Sequence, residues 1–109
     1  MDSRNVLDPG INLATFSDEV VATMAESFKA LGDPTRLRIL ALLFDGERGV
    51  GDIAEHLAVT QSAVSHQLRI LRSLDIVRYR KDGREVFYAL ADDHVRDILS
   101  RTLEHILYD

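Results

Sequence analysis

Apolar residues recur at two periods along the chain, and the change of period separates a helical part from a hairpin. From Ser17 or Asp18, either of which can cap the first N–H groups of a helix, Val20, Val21, Met24, Phe28 and Leu31 form a stripe at helical spacing that ends at Gly32. Asp33 and Pro34 open a second helix, since proline at the first helical position has no intrahelical N–H bond to lose. Leu37, Ile39, Leu40, Leu42, Leu43 and Phe44 make it apolar around most of its circumference as far as Gly46, which predicts the central core element. After a polar link at residues 45–48, Ile53, Ala54 and Leu57 mark a short amphipathic helix over residues 50–57. Ala58 and Val59 then lead to Thr60, an N-cap for a helix over residues 60–74.

In that fourth helix Val64, Leu68 and Leu71 build the buried stripe, while Ser62, Ser65, His66, Arg69, Arg72 and Ser73 recur on the other side with no carboxylate among them. A cationic, hydrogen-bonding face suits an anionic groove; it also suits water. Two short helices joined by a tight turn form a helix-turn-helix, whose second helix presents its N-terminal residues to base edges. Those residues here are Thr60, Gln61, Ser62, Ser65 and His66, with Arg69 farther along.

Beyond residue 74 the period falls to two. Ile76, Val77, Arg78, Tyr79 and Arg80, then Glu85, Val86, Phe87, Tyr88, Ala89 and Leu90, flank the charged tip Lys81, Asp82, Gly83 and Arg84, which contains Asp-Gly. A hairpin directly after a helix-turn-helix is a wing, and its cations Arg80, Lys81 and Arg84 are placed for phosphates or the minor groove. A last helix starts at Asp92 or Asp93 and carries Val95, Ile98, Leu99, Thr102, Leu103 and Ile106 on one stripe to about residue 107. Such a stripe, added to that of the first helix, exceeds what a small winged core can bury, so the terminal helices are expected to form a homodimer. The expected fold is therefore mainly α with a β-hairpin wing, in the order α-α-α-α-β-β-α. Residues 1–16, with Pro9-Gly10 and little pattern, read as a flexible arm before a single domain at residues 17–109.

Composition sharpens this picture at three points. The net charge of −5 speaks against nucleic acid until its distribution is considered. Residues 60–84 hold Arg69, Arg72, Arg78, Arg80, Lys81 and Arg84 against Asp75 and Asp82, a local +4 on a remainder of −9. No cysteine is present, so disulfides, thiol chemistry and thiolate metal sites are excluded. No apolar run or N-terminal signal pattern points to a membrane, and the expected location is the cytoplasm. No phosphate loop or nucleophile motif supports an enzyme.

His94 and His105 lie eleven residues apart, close to three helical turns, on one side of the last helix. At about 1.5 Å per residue they are roughly 16 Å apart, too far for one ion. Two antiparallel copies would bring Asp92 and His94 of one helix to His105 of the other, a nitrogen and oxygen set suited to zinc, nickel or cobalt. Spacing alone favours a plainer reading, with interface or surface histidines and Asp92 as a cap.

Residues 30–43 (ALGDPTRLRILALL), 61–77 (QSAVSHQLRILRSLDIV), 80–90 (RKDGREVFYAL) and the closing DDHV resemble, in order and spacing, the ArsR/SmtB family of metal-responsive winged-helix repressors. The resemblance covers roughly residues 20–107. It implies a dimer that binds double-stranded operator DNA when metal-free and releases it when a divalent transition metal binds. The family's Cys-x-Cys site falls on Gly49 and Gly51 and is absent here. Its terminal-helix site matches Asp92, His94 and His105; the fourth position is Tyr108, with Asp109, Glu104 or water as substitutes. The resemblance also implies coupling through a ring nitrogen of His105 to a backbone carbonyl near Asp75. The alternatives left open are a same-fold regulator whose degenerate site answers another ligand or none, and a winged interaction module that does not bind DNA.

Overall fold

The computed structural model describes residues 10–108. Residues 1–9 of the expected arm and Asp109 lie outside the described residues. Within the rest of the arm, Leu13–Thr15 form one 3-10 turn closed by a capping box: the Asn12 side chain accepts from the backbone of Ala14, and the Thr15 hydroxyl accepts from the backbone of Asn12.

Helix α1 spans Asp18–Leu31, capped by Ser17, and α2 spans Pro34–Leu42, where the Asp33 carboxylate accepts the Arg36 N–H at 3.0 Å. The expected run to Gly46 breaks earlier: the chain tightens into a 3-10 turn at Leu43–Asp45, and Gly46 adopts φ 132°. That turn redirects Arg48–Gly49 into a short strand, β1, at the end of the expected polar link. Helix α3 follows at Val50–Leu57 and α4 at Gln61–Ser73, capped by Thr60, whose Oγ1 accepts the Ala63 N–H at 3.1 Å.

Strands β2 (Val77–Asp82) and β3 (Glu85–Leu90) form the hairpin, and β1 pairs with the far edge of β3, giving the antiparallel order β1-β3-β2. Asp82 pairs with Glu85, so β2 runs through Lys81 and Asp82 of the expected tip while β3 starts where expected, leaving a two-residue loop. Gly83 takes its first position at φ 63°, which a side chain would disfavour. Helix α5 spans Asp93–Tyr108, and the Asp92 carboxylate caps it by accepting the Val95 N–H at 3.0 Å.

The core lies where α2, α3, α4 and the root of the hairpin meet. Ile39, Leu40, Leu43, Ile53, Val64, Leu68 and Leu71 are its fully buried side chains, and the hairpin adds Val77, Tyr88 and Leu90. The terminal helices contribute little: α1 buries only Ala30, and no residue of α5 is buried. Among the described residues no helix is long and apolar enough to cross a membrane.

Candidate nucleic-acid interface and ligand-bearing helix

Burying Val64, Leu68 and Leu71 fixes the rotation of α4 about its axis. With that face inward, Gln61, Ser62, His66 and Arg69 are exposed and Ser65 is half-buried on the same outer side. Of the sequence-derived reading residues, Thr60 is already engaged as an acceptor in the cap. Gln67 turns inward, and its amide oxygen accepts from Arg36 Nε at 2.8 Å. This tie between the first turn of α2 and the middle of α4 was not visible in the sequence, because thirty-one residues separate the partners.

The wing divides its cations between two jobs. Lys81 and Arg84 are exposed at the tip. Arg80 instead points back to the root, where Nε donates to both oxygens of Glu47 at 2.9 and 3.0 Å, and Nη2 donates to Oε1. Its guanidinium also lies 4.7 Å over the Phe87 ring. The Arg80 hydrogen bonds hold the Glu47 carboxyl below its ordinary pKa, and Glu47 in turn raises that of Arg80. Glu47 carried no sequence signal, since β1 is too short to show a period of two. Arg72, on α4, lies 4.2 Å over the Tyr79 ring and so joins the recognition helix to the wing.

At the start of α5, His94 Nδ1 lies 3.7 Å from Asp92 Oδ1, and the His94 side chain is 93% exposed. His105 stands in the last turn, exposed, beside Glu104 and Tyr108. No three metal-ligating side chains come together within the chain among the described residues. His94 and His105 stand in the first and last turns of α5, apart from each other within one chain. The donors suit a borderline divalent ion: two imidazoles and a carboxylate, accessible and set near opposite ends of one helix. Tyr108 adds a phenol to the turn that carries His105.

Between α1, α2 and α5 runs an apolar groove of about 660 Å³ lined by Phe28, Leu37, Phe44, Ile98, Leu103 and Ile106, among others. Phe28 is 59% exposed, Leu103 53% and Ile106 70%. Side chains of this size left in water on two adjacent helices form a contiguous apolar patch of the kind that marks an interface.

Residues 33–79, which hold α2, the helix-turn-helix and the first wing residues, match the bacterial regulatory protein arsR family. The chain is 51% identical over 83 residues to the transcriptional repressor SmtB homolog of Synechocystis, a match covering 76% of this chain and 63% of that one. It is 41% identical over 92 residues to the HTH-type transcriptional regulator NmtR of Mycobacterium tuberculosis, covering 84% of this chain and 77% of that one. Its fold superposes with a TM-score of 0.78 on the homodimeric winged helix-turn-helix DNA-binding domain of a possible ArsR-family regulator of Mycobacterium bovis, at 27% identity, covering 94% and 96% of the two chains. These relatives are transcriptional regulators rather than enzymes, and the chain belongs to the ArsR/SmtB family of winged-helix transcriptional regulators.

Proposed function

We propose that this protein is a metal-responsive repressor that binds operator DNA as a metal-free homodimer and releases it when zinc, nickel or cobalt is held between the two α5 helices. The observation that carries this reading is the state of α5: sixteen residues, none buried, an exposed apolar face, and imidazole donors in its first and last turns. Packing two antiparallel copies along that face covers the groove and brings Asp92 and His94 to His105 of the partner subunit. The fourth position falls on Tyr108, with Glu104, Asp109 or water as substitutes. A bound divalent ion supplies a Lewis-acidic anchor joining donors of the two helices, and nothing more is asked of it.

The protein's own residues carry the rest. Gln61, Ser62, Ser65, His66 and Arg69 face the major groove, with Thr60 capping the helix that presents them. Lys81 and Arg84 reach the backbone or minor groove, and Arg80 braces the wing. Two copies of α4 must match the spacing of two half-sites, so any change in how the subunits sit against each other is felt at DNA. Helix α5 is tied into that geometry: the Ala91 N–H donates to the Ile76 carbonyl at 3.0 Å, and Arg96 Nη1 donates to the Phe44 carbonyl at 3.0 Å. Asp75, directly after α4, is the proposed receiving point for a hydrogen bond from a His105 ring nitrogen to its backbone carbonyl. A coupling of roughly 1–3 kcal/mol between the two sites is typical of such regulators.

A second reading, a same-fold regulator answering another ligand or none, is favoured by the tyrosine at position 108. Calorimetry with zinc, nickel and cobalt salts, alongside gel shifts on a selected duplex, separates the two. His105→Ala should bind the duplex as the parent does and lose the response to metal. If His105→Ala still lets go of DNA when metal is added, the α5 site is not the sensor.

A further inference from the structure

We infer that Gly51 of α3 seats the side chain of Gln61 and thereby sets the base preference of the recognition helix; this rests on the DNA-binding reading above. Gly51 is the second residue of α3, and its φ does not lie in the left-handed region, so its backbone admits any residue. Glycine inside a helix is disfavoured relative to alanine, which leaves its use here to be explained by space. A Cβ at position 51 would stand 3.3 Å from Gln61 Nε2 and 3.8 Å from Gln61 Cδ. The Gln61 amide therefore lies directly against α3 at the point where glycine leaves the backbone bare.

That contact matters because of where Gln61 stands. It is the first residue of α4, exposed at the corner of the helix-turn-helix, with a long side chain that water alone would leave free to sample many rotamers. Its amide offers two donors and one acceptor, the set that pairs with an adenine edge, and such pairing needs both atoms placed together. Resting on Gly51 narrows the positions from which the amide can approach DNA. A methyl group at 51 forces the amide outward by a few tenths of an ångström. Because Gln61 is exposed and flexible, it can yield without disturbing the core. Gly51 is thus a positioning residue whose loss alters reading and spares folding.

The test uses the full chain and a duplex selected from a random-sequence pool by the wild-type protein. Single-base variants of that duplex, measured with wild type and Gln61→Ala, locate the base pair whose discrimination depends on Gln61, expected to be roughly ten- to a hundred-fold. Gly51→Ala should melt at or above the wild-type temperature and lose about three-fold or more of that discrimination. In a Gln61→Ala background the same substitution should cost nothing further. The inference is overturned if Gly51→Ala discriminates as wild type does, if its loss persists without Gln61, if Gln61→Ala reads the duplex unchanged, or if Gly51→Ala melts lower. Failure of the wild type to enrich any duplex would instead overturn the DNA-binding reading itself.

Discussion

Arg80 of the wing and Glu47 before β1 form a two-pronged ion pair across the sheet, with Nε of Arg80 2.9 and 3.0 Å from the two carboxylate oxygens. The charge that the sequence offers to a phosphate is engaged by Glu47 in an exposed ion pair. Each phosphate neutralised by a free cation contributes about 0.9 to the slope of log affinity against log salt. Lys81→Ala and Arg84→Ala should therefore each lower that slope by about 0.9, and Arg80→Ala by clearly less. Glu47→Gln should release Arg80, steepen the slope and strengthen binding to random-sequence duplex. Fluorescence anisotropy across a salt series measures all four.

The same pair predicts a sensitivity to acid. Glu47 is held low by hydrogen bonds from Arg80, and Asp52 is held low by its bond from Arg48 Nη1 at 2.8 Å. Each carboxylate has a lower pKa folded than unfolded, so its contribution to stability is fully present above the unfolded value, about 4. It is lost as pH falls through the lowered folded value. Urea midpoints should fall with acidification below that range, and Glu47→Gln and Asp52→Asn should each flatten the decline while leaving its start near the same pH. An unchanged profile in Glu47→Gln would show that Arg80 does not hold that carboxylate in solution.

Much of this was legible in the residues, and the illegible parts share a cause. Asp33-Pro34, the Thr60 cap and the drop to a period of two after residue 74 are local signals, and the elements fall where those signals place them. What escaped was set by contacts distant in sequence: β1 exists only through its pairing with Tyr88 and Phe87, and Arg36 meets Gln67 only after α2 and α4 have packed. Gly49 and Gly51 read in the sequence only as missing thiolates. In the fold, Gly51 lies bare against the Gln61 amide, while a Cβ at 49 would meet the Phe87 ring only in ordinary contact.

The groove face yields a prediction about assembly. Leu103 is half-exposed, lines the groove with Phe28 and Ile98, and lies outside the core of the single chain. Burying such a side chain is worth about 1.5–3 kcal/mol, and a two-fold interface counts it twice. Leu103→Arg should raise the dimer dissociation constant by roughly three orders of magnitude, on about 4 kcal/mol lost. Sedimentation velocity should show a folded monomer with unchanged helical circular dichroism. A dimer of parental affinity would place the interface elsewhere.

Both helices of the helix-turn-helix end on a non-glycine residue in the left-handed region, Ala58 at φ 57° and Asp75 at φ 58°. Around Ala58 the Val59 N–H reaches the Ala54 carbonyl at 3.1 Å and the Ala58 N–H reaches that of Glu55 at 3.3 Å, the double closure that glycine ordinarily serves. An L-residue there costs roughly 1–2 kcal/mol, partly offset by the entropy a glycine loses on folding. Ala58→Gly should stabilise the protein by about 0.5–1 kcal/mol, read from urea midpoints, and Asp75→Gly by less, since aspartate tolerates this region better.

His105 and Tyr108 stand three residues apart, on one face of the last turn of α5, and the Tyr108 ring is 80% exposed. A phenol is a poorer ligand for a borderline divalent ion than an imidazole. In the proposed site, Tyr108→His would add a fourth donor to Asp92, His94 and His105 drawn from two copies. Zinc affinity by competition with a chelator should rise by at least the roughly 10–100-fold that losing an outer-shell partner typically costs a metal site. Tyr108→Phe should leave it unchanged, because the phenol gives nothing to lose. If Tyr108→His binds zinc no more tightly than the parent, the metal is not held at this turn of the helix.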